Sequence, residues 1–212
     1  MGARHKSTIN VRPLPAKQWV PWHLVCSSMT AVDMPHVNVK ELLDEYAQGK
    51  RDFRGMELRE ANLFEADLRR INLQGSQLQR VYFPYAKLSY ADFSHADLYQ
   101  AQLGDALLHH VDFSHARLVG ANLCRASLRY ANLRGADLRG ANLQRANLYR
   151  ADLTNANLSD ADLSRANLER AHLTGAILAG SNFFQARLVD FTGTYPDART
   201  RYPDGYFQGK LS

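Results

Sequence analysis

A five-residue repeat dominates this sequence and limits what the chain can fold into. Every fifth residue from Phe53 to Leu188 is Leu or Phe, 28 positions in all and without exception. The residue two before each of these centre positions, from Met56 to Ala186, is Ala in 21 of 27 cases. The residue directly before the centre is often Asn or Asp, so the repeating unit is Ala-(Asn/Asp)-Leu-x-x.

A period of five matches neither an α-helix nor a continuous β-strand. The Ala and the centre of one unit are two residues apart, so they can share one face of a strand. The next Ala lies three residues beyond that centre and would point to the opposite face if the strand ran on. All these apolar side chains can face inward only if the chain turns once per unit. The sequence therefore predicts a polygonal coil with one unit on each side.

The number of sides follows from a second, longer period of 20 residues. The sequence Asp-Phe-Ser-His-Ala at residues 92–96 recurs at residues 112–116. When the sides are numbered 1 to 4 from the unit of Phe53, all five Phe centres fall on sides 1 and 3. This 20-residue period predicts four sides per coil, so the 28 units make about seven coils. At about 4.8 Å per coil, the rod is roughly 30–35 Å long.

The tandem Ala-(Asn/Asp)-Leu-x-x unit, which runs cleanly from Ala131 to Leu168, resembles the pentapeptide-repeat family and its many bacterial and cyanobacterial members. The resemblance covers residues 51–190. It implies an all-β fold, a right-handed quadrilateral β-helix or solenoid. It says little about function, because the repeated residues form the core.

The segments on either side of the repeats predict two caps. Residues 38–50 are expected to form a capping helix whose apolar stripe covers the first coil. The stripe consists of Val39, Leu42, Leu43 and Tyr46. Asn38 suits the start of this helix and Gly49 its end. Residues 191–212, with two Tyr-Pro-Asp turns, are expected to form a C-terminal capping tail. The two caps should cover the outward rings of Phe64 and Phe184.

Residues 1–37 contain four prolines and show no sustained pattern, which predicts a largely extended or disordered N-terminal tail. The whole chain has 26 Lys and Arg against 21 Asp and Glu, a net charge of +5. This balance permits an anionic partner without requiring one. Cys26 and Cys124 are too few for a disulfide framework, and no apolar run could span a bilayer. We therefore expect a cytoplasmic protein that does not act at a membrane.

Two groups of side chains invite a catalytic or metal-binding interpretation. Asp112, Ser114 and His115 carry the chemistry of a nucleophilic triad. The same residue types recur at Asp92, Ser94 and His95. The wall of a convex rod offers neither a pocket nor an oxyanion hole, so no enzyme activity is predicted. His95 and His115 should stack about 5 Å apart and are weak candidates for a metal site, but no metal-ligand motif accompanies them. We expect no metal or other cofactor.

Arginine is distributed unevenly over the outer wall. Seven Arg stand two residues after a centre, and all but Arg80 lie on sides 3 and 4. Together with neighbouring tyrosines they form the candidate partner-binding strip. Its members are Arg125, Arg129, Arg145, Arg150, Arg165, Arg170, Tyr90, Tyr130 and Tyr149. Arg and Tyr favour protein contacts as well as nucleic-acid contacts. A solvated wall is the other interpretation, because seven Gly occupy the same turn position on sides 1 and 2 and could displace Arg from them.

These observations favour a non-catalytic scaffold that binds an unidentified protein through the outer surface of the solenoid. Binding of nucleic acid or another polyanion by the Arg and Tyr strip is the second hypothesis. The family resemblance adds a third, because its quinolone-resistance members mimic duplex DNA and bind gyrase. Those members are strongly acidic, whereas residues 51–190 here contain 17 Lys and Arg against 15 Asp and Glu. The sequence leaves open a monomer or a dimer.

Overall fold

The computed structural model describes residues 39–207, so the predicted tail of residues 1–37 and the predicted helix cap Asn38 lie outside the described residues. From residue 52 to residue 187 the chain winds so that each unit contributes one β-bridge residue, the one before its centre. Each of these residues pairs in parallel with the residue 20 positions later, from Asp52–Asn72 to Asn167–Arg187. Four units therefore separate stacked partners.

Backbone hydrogen bonds hold each unit to the coils on either side. The N–H of the centre Leu63 donates to the carbonyl of Tyr82, one coil later, at 2.8 Å. The N–H of Tyr82 donates in return to the carbonyl of Ala61 at 2.9 Å. At the corner, the N–H of Ala66 donates to the carbonyl of Leu63 at 3.1 Å and closes the turn into the next unit. This pattern gives backbone N–H and C=O groups hydrogen-bond partners without any long strand.

The core is a stack of centre side chains filled in by the Ala positions. The 27 centres from Phe53 to Phe183 are all buried, none more than 3% exposed. The Ala positions are buried from Ala66 onward, while Met56 and Ala61 at the first coil are partly buried. A fully buried Leu contributes about 1.5–3 kcal/mol to the free energy of unfolding. The stack of Leu centres, here called the Leu ladder, therefore dominates the stability of the fold.

The prediction that Leu188 is an inward centre is wrong. Its side chain is 64% exposed, and its backbone is left-handed at φ +55°. The ring of Phe191 packs against Phe183 instead, with centroids 5.1 Å apart. The next bridge joins Ile177 to Tyr195, 18 residues apart rather than 20, so the chain leaves the five-residue frame here.

Helix α1 spans Val39–Ala47, slightly shorter than predicted, and packs on the first coil. Leu42 is buried, and Val39, Leu43 and Tyr46 pack against the core. The Tyr46 hydroxyl donates to a backbone carbonyl of the first coil, that of Arg69, at 2.8 Å. No helix within residues 39–207 has the length and hydropathy needed to cross a membrane.

The described C-terminal residues, up to 207, pack on the other end of the coil. Thr200 is fully buried, and its hydroxyl donates to the carbonyl of Leu178 at 2.8 Å. The guanidinium of Arg201 lies 4.2 Å from the centre of the Phe184 ring, so this segment contacts that ring.

Phe64, at the other end of the rod, was expected to lie beneath a flanking segment. Its ring contacts Tyr82 and Tyr85 of the next coil, with centroids 6.2 and 5.8 Å away. Residues 1–38, which precede the described chain, lie outside this comparison.

Candidate interaction surface

The corner residue of each unit has the same backbone conformation on all four sides. The second residue after a centre has a positive φ on every side, for example +58° at His95, +57° at Arg80, +58° at Arg125 and +55° at Arg150. Glycine and non-glycine residues share this conformation, although it costs an L-residue about 1–2 kcal/mol. Because all four sides use the same turn, its geometry does not account for the concentration of Arg on sides 3 and 4.

The Asn or Asp before each centre has a structural role that sequence reasoning missed. Its side-chain oxygen accepts a hydrogen bond from the N–H two residues later, at 2.8 Å from Asp92 to Ser94 and at 2.7 Å from Asp112 to Ser114. Such Asx turns stabilise a corner locally. The carboxylates of both triad-like groups therefore brace turns, and no hydrogen bond within residues 39–207 joins Ser114 to His115.

The histidine pair lies on one corner of side 1. The rings of His95 and His115 stack with centroids 5.2 Å apart and planes within 12°. On the far side of His115, a Cβ added at Gly135 would come within 2.8 Å of its ring. Across the described residues, no group of three or more His, Cys, Asp or Glu is arranged to hold a metal ion.

Three of the predicted strip arginines lie one above another on side 3. Arg125, Arg145 and Arg165, here called the arginine column, hold the same turn position in three successive coils. They line an open groove of about 400 Å³. The groove is completed by Cys124, Gln144, Asp162, Ser164, Asn182 and Phe184. The sequence aligned the three arginines, but it did not reveal the groove.

The three column arginines differ in their partners. Arg125 forms a bidentate ion pair with Asp105, one coil earlier, at 2.7 and 2.6 Å. Arg165 donates from Nε to Oε1 of Gln185 at 2.9 Å. The guanidinium of Arg145 makes no hydrogen bond, ion pair or ring contact with any described residue. Asp105 lies 20 residues before Arg125, so the coil period was the signal that would have predicted this pair.

The acids near the groove are already engaged. Hydrogen bonds from Arg125 lower the pKa of Asp105 below its ordinary value. Asp162, which lines the groove, accepts hydrogen bonds from the Ser164 N–H at 2.9 Å and from the Asn182 amide at 3.2 Å. Its second oxygen accepts one from the Gln144 amide. None of these hydrogen bonds comes from Arg145 or Arg165, so neither of these guanidinium groups is paired with a described carboxylate.

On side 4, three rings form a continuous stack, here called the aromatic column. The centroids of Tyr90, His110 and Tyr130 are 4.8 Å apart at each step, with planes within 3°. The guanidinium of Arg70 lies 5.9 Å from the Tyr90 centroid, on the preceding coil. Because the ring faces cover one another, nucleobases cannot stack between them. The column presents ring edges and hydroxyl groups to solvent.

Three other members of the predicted strip, Arg129, Tyr149 and Arg150, lie beside this column. The rings of Tyr130 and Tyr149 meet edge to face at 5.6 Å. The guanidinium groups of Arg129 and Arg150 lie 5.2 and 5.5 Å from the Tyr149 centroid. Arg170 lies one coil beyond Arg150 and contacts none of these rings within the described part of the chain. The structure thus divides the strip into a side 3 column and a side 4 cluster.

His109 lies at the edge of this cluster. Its Nε2 lies 2.6 Å from the hydroxyl of Ser127. Burial lowers the pKa of His109, and the nearby charges of Arg129 and His110 lower it further. The neutral form is therefore favoured beside the side 4 arginines.

The repeats identify the family of the chain. The profile described as pentapeptide repeats matches in 8 copies, over residues 52–80, 61–100, 76–114, 106–145 and 151–193. This chain belongs to the pentapeptide-repeat family. Membership implies a right-handed β-helix, and members of this family are generally non-catalytic. No curated protein was found to match the sequence.

Solved structures of other pentapeptide-repeat proteins are similar in sequence. HetL from Nostoc sp. strain PCC 7120, involved in heterocyst differentiation regulation, is 30% identical over 82% of this chain and 100% of its own, with a TM-score of 0.33. Rfr23 from Cyanothece 51142 is 29% identical over 74% of this chain and 99% of its own, with a TM-score of 0.38. A trypsin-treated variant of QnrB1, a plasmid-mediated fluoroquinolone resistance protein, is 21% identical over 70% of this chain and 86% of its own, with a TM-score of 0.32. These overall superpositions are poor, so the family assignment rests on the repeat match.

Proposed function

We propose that this pentapeptide-repeat protein is a non-catalytic scaffold that binds another protein through sides 3 and 4 of its coil. One observation carries the proposal. Arg125, Arg145 and Arg165 line a single groove, and the guanidinium of Arg145 is left without a partner among the described residues. A structural role in the coil does not account for this arrangement, because these side chains lie on the outer wall.

The side 4 cluster supports the same surface. Tyr and Arg are the residue types that most often dominate binding energy at protein interfaces. Tyr130, Tyr149 and Arg150 hold one another in place through ring contacts, so little side-chain freedom is lost when a partner binds.

The proposal includes the frame that presents this surface. We infer seven coils over residues 51–190, with residues 38–50 and 191–212 as caps that block end-to-end association through the exposed backbone edges of the coil. A cytoplasmic location belongs to the proposal as well, because the chain has only two cysteines.

Binding of nucleic acid is the second candidate, favoured by the charge of the arginine column. The aromatic column argues against it, because the stacked faces of Tyr90, His110 and Tyr130 leave no platform for bases. DNA mimicry is not favoured either, because residues 51–190 contain 17 Lys and Arg against 15 Asp and Glu.

Affinity capture with and without nuclease separates the two candidates. The bait is the full chain, compared with a variant carrying Arg125→Gln, Arg145→Gln and Arg165→Gln. A protein partner should be retained after nuclease treatment and lost with the triple variant. Capture that disappears with nuclease would instead assign the surface to nucleic acid.

A further inference from the structure

The side 3 groove also indicates the chemistry of its occupant. Resting on the function proposed above, we propose that the groove binds an extended acidic segment of the partner protein, with Arg145 as the main contact to one of its carboxylates. The inference depends on the unpaired charge in the groove, on the side chains that line the groove and on the length of the arginine column.

The leftover charge is concentrated at Arg145. Asp105 neutralises Arg125 through two short hydrogen bonds, and Arg165 has only the neutral amide of Gln185. Arg145 has no partner among residues 39–207 and lies one coil from each of these arginines. A carboxylate placed at Arg145 gains charge-assisted hydrogen bonds and reduces the repulsion among the three guanidinium groups.

The lining of the groove suits a peptide chain. It includes small or neutral side chains, those of Cys124, Gln144 and Ser164, as well as the three arginines. The Oε1 atom of Gln144, whose amide nitrogen donates to Asp162, and the hydroxyl of Ser164 provide polar groups for the backbone of an occupant. The ring of Phe184 lies at the C-terminal end of the groove and can contact one apolar side chain.

The length of the arginine column sets the size of the segment. Arg125 and Arg165 are two coils apart, about 10 Å along the rod. An extended chain advances about 3.3 Å per residue, so roughly three residues lie along the column. One or two acidic residues within that length can contact Arg145 and Arg165. A phosphodiester backbone fits less well, because it has no N–H groups to donate to the side-chain oxygens of Gln144 and Ser164.

The test measures fluorescence anisotropy of a labelled peptide of alternating Glu and Gly with the purified full chain. Arg145→Gln is compared with Arg80→Gln, which removes the same charge from the same turn position on side 2. The two residues share a backbone conformation, with φ +58° and +57°. Arg80 is paired with Glu60 at 2.8 Å, so its charge is already neutralised. Circular dichroism melting confirms that both variants fold.

Arg145→Gln should weaken peptide binding about tenfold, the loss expected for one charge-assisted hydrogen bond, while Arg80→Gln leaves it unchanged. A labelled oligothymidylate of equal charge should bind more weakly and respond equally to both variants. Equal effects of the two variants on the peptide would overturn the inference, and so would tighter, Arg145-dependent binding of the oligothymidylate.

Competition against the captured partner distinguishes this inference from the function beneath it. The Glu-Gly peptide should displace the partner from the wild-type bait. If the partner needs the arginine column but the peptide does not displace it, the surface stands and the acidic segment fails. If the partner binds the triple variant as well as the wild type, the surface itself is wrong.

Discussion

The Leu ladder makes a quantitative prediction at Leu133. This centre is the fifth of the seven on side 1 and is fully buried. Replacing it with Ala removes its buried methyl groups and leaves a cavity in a core that is held on all four sides. Such substitutions cost about 2–5 kcal/mol, because the surrounding structure relaxes only partly.

Leu188→Ala is the matched control. Both residues fit the five-residue repeat equally well in the sequence, but the side chain of Leu188 is 64% exposed. Removing atoms that already contact water should change the free energy of unfolding by less than about 0.5 kcal/mol. The pair therefore separates what the repeat predicts from what the structure shows.

Urea unfolding followed by circular dichroism measures both variants. With a slope of about 2–3 kcal/mol per molar urea, a loss of about 3 kcal/mol lowers the midpoint by roughly 1–1.5 M. The Leu188→Ala midpoint should match that of the wild type. Equal shifts for the two variants would show that Leu188 is an inward centre after all, and an unshifted Leu133→Ala would refute the inward ladder.

Two further predictions concern the corners and the ion pair beside the groove. Gly140→Ala should lower the free energy of unfolding by about 1 kcal/mol in urea melts, because φ is +63° even though an added Cβ would meet nothing within 4 Å. A neutral result would show that the corner relaxes. Arg125 lowers the pKa of Asp105, so this carboxylate adds stability above its ordinary pKa of 3.8 and loses it as the pH falls through and below that value. Wild type and Asp105→Asn should differ in melting temperature near neutral pH and converge as the pH falls below the lowered pKa of Asp105. A gap that persists in acid would assign the effect to another cause.

Much of the core could be predicted because a five-residue period leaves the chain few choices. Leu133 and Ala131 can both face inward only if the backbone turns after each unit. The 20-residue period by itself aligns Arg125, Arg145 and Arg165. Both predictions depend on spacing alone, which the sequence states directly.

Other features depend on contacts that spacing does not encode. Leu188 keeps the repeat in sequence but not in structure, because Phe191 takes the place against Phe183. The repeat pattern shows that Asn or Asp precedes each centre but not why. Their side-chain oxygens accept hydrogen bonds within the turns, as Asp112 does from the Ser114 N–H. The rings of the aromatic column cover one another because of their side-chain rotamers, and the sequence does not reveal rotamers.

The location of the binding surface is tested most directly by comparing two triple variants of equal charge. One carries Arg125→Gln, Arg145→Gln and Arg165→Gln on side 3. The other carries Arg80→Gln, Arg134→Gln and Arg139→Gln on sides 1 and 2, where all three arginines are paired with acids. Both lower the net charge by three, from +5 to +2.

Titration calorimetry with the partner recovered by affinity capture measures the affinity of each variant at several salt concentrations. The side 3 variant should lose about 100-fold in affinity and show a weaker salt dependence, because the arginines at the contact are gone. The variant on sides 1 and 2 should change by less than about threefold, the effect of long-range charge alone. Equal losses for the two variants would contradict a binding surface on side 3.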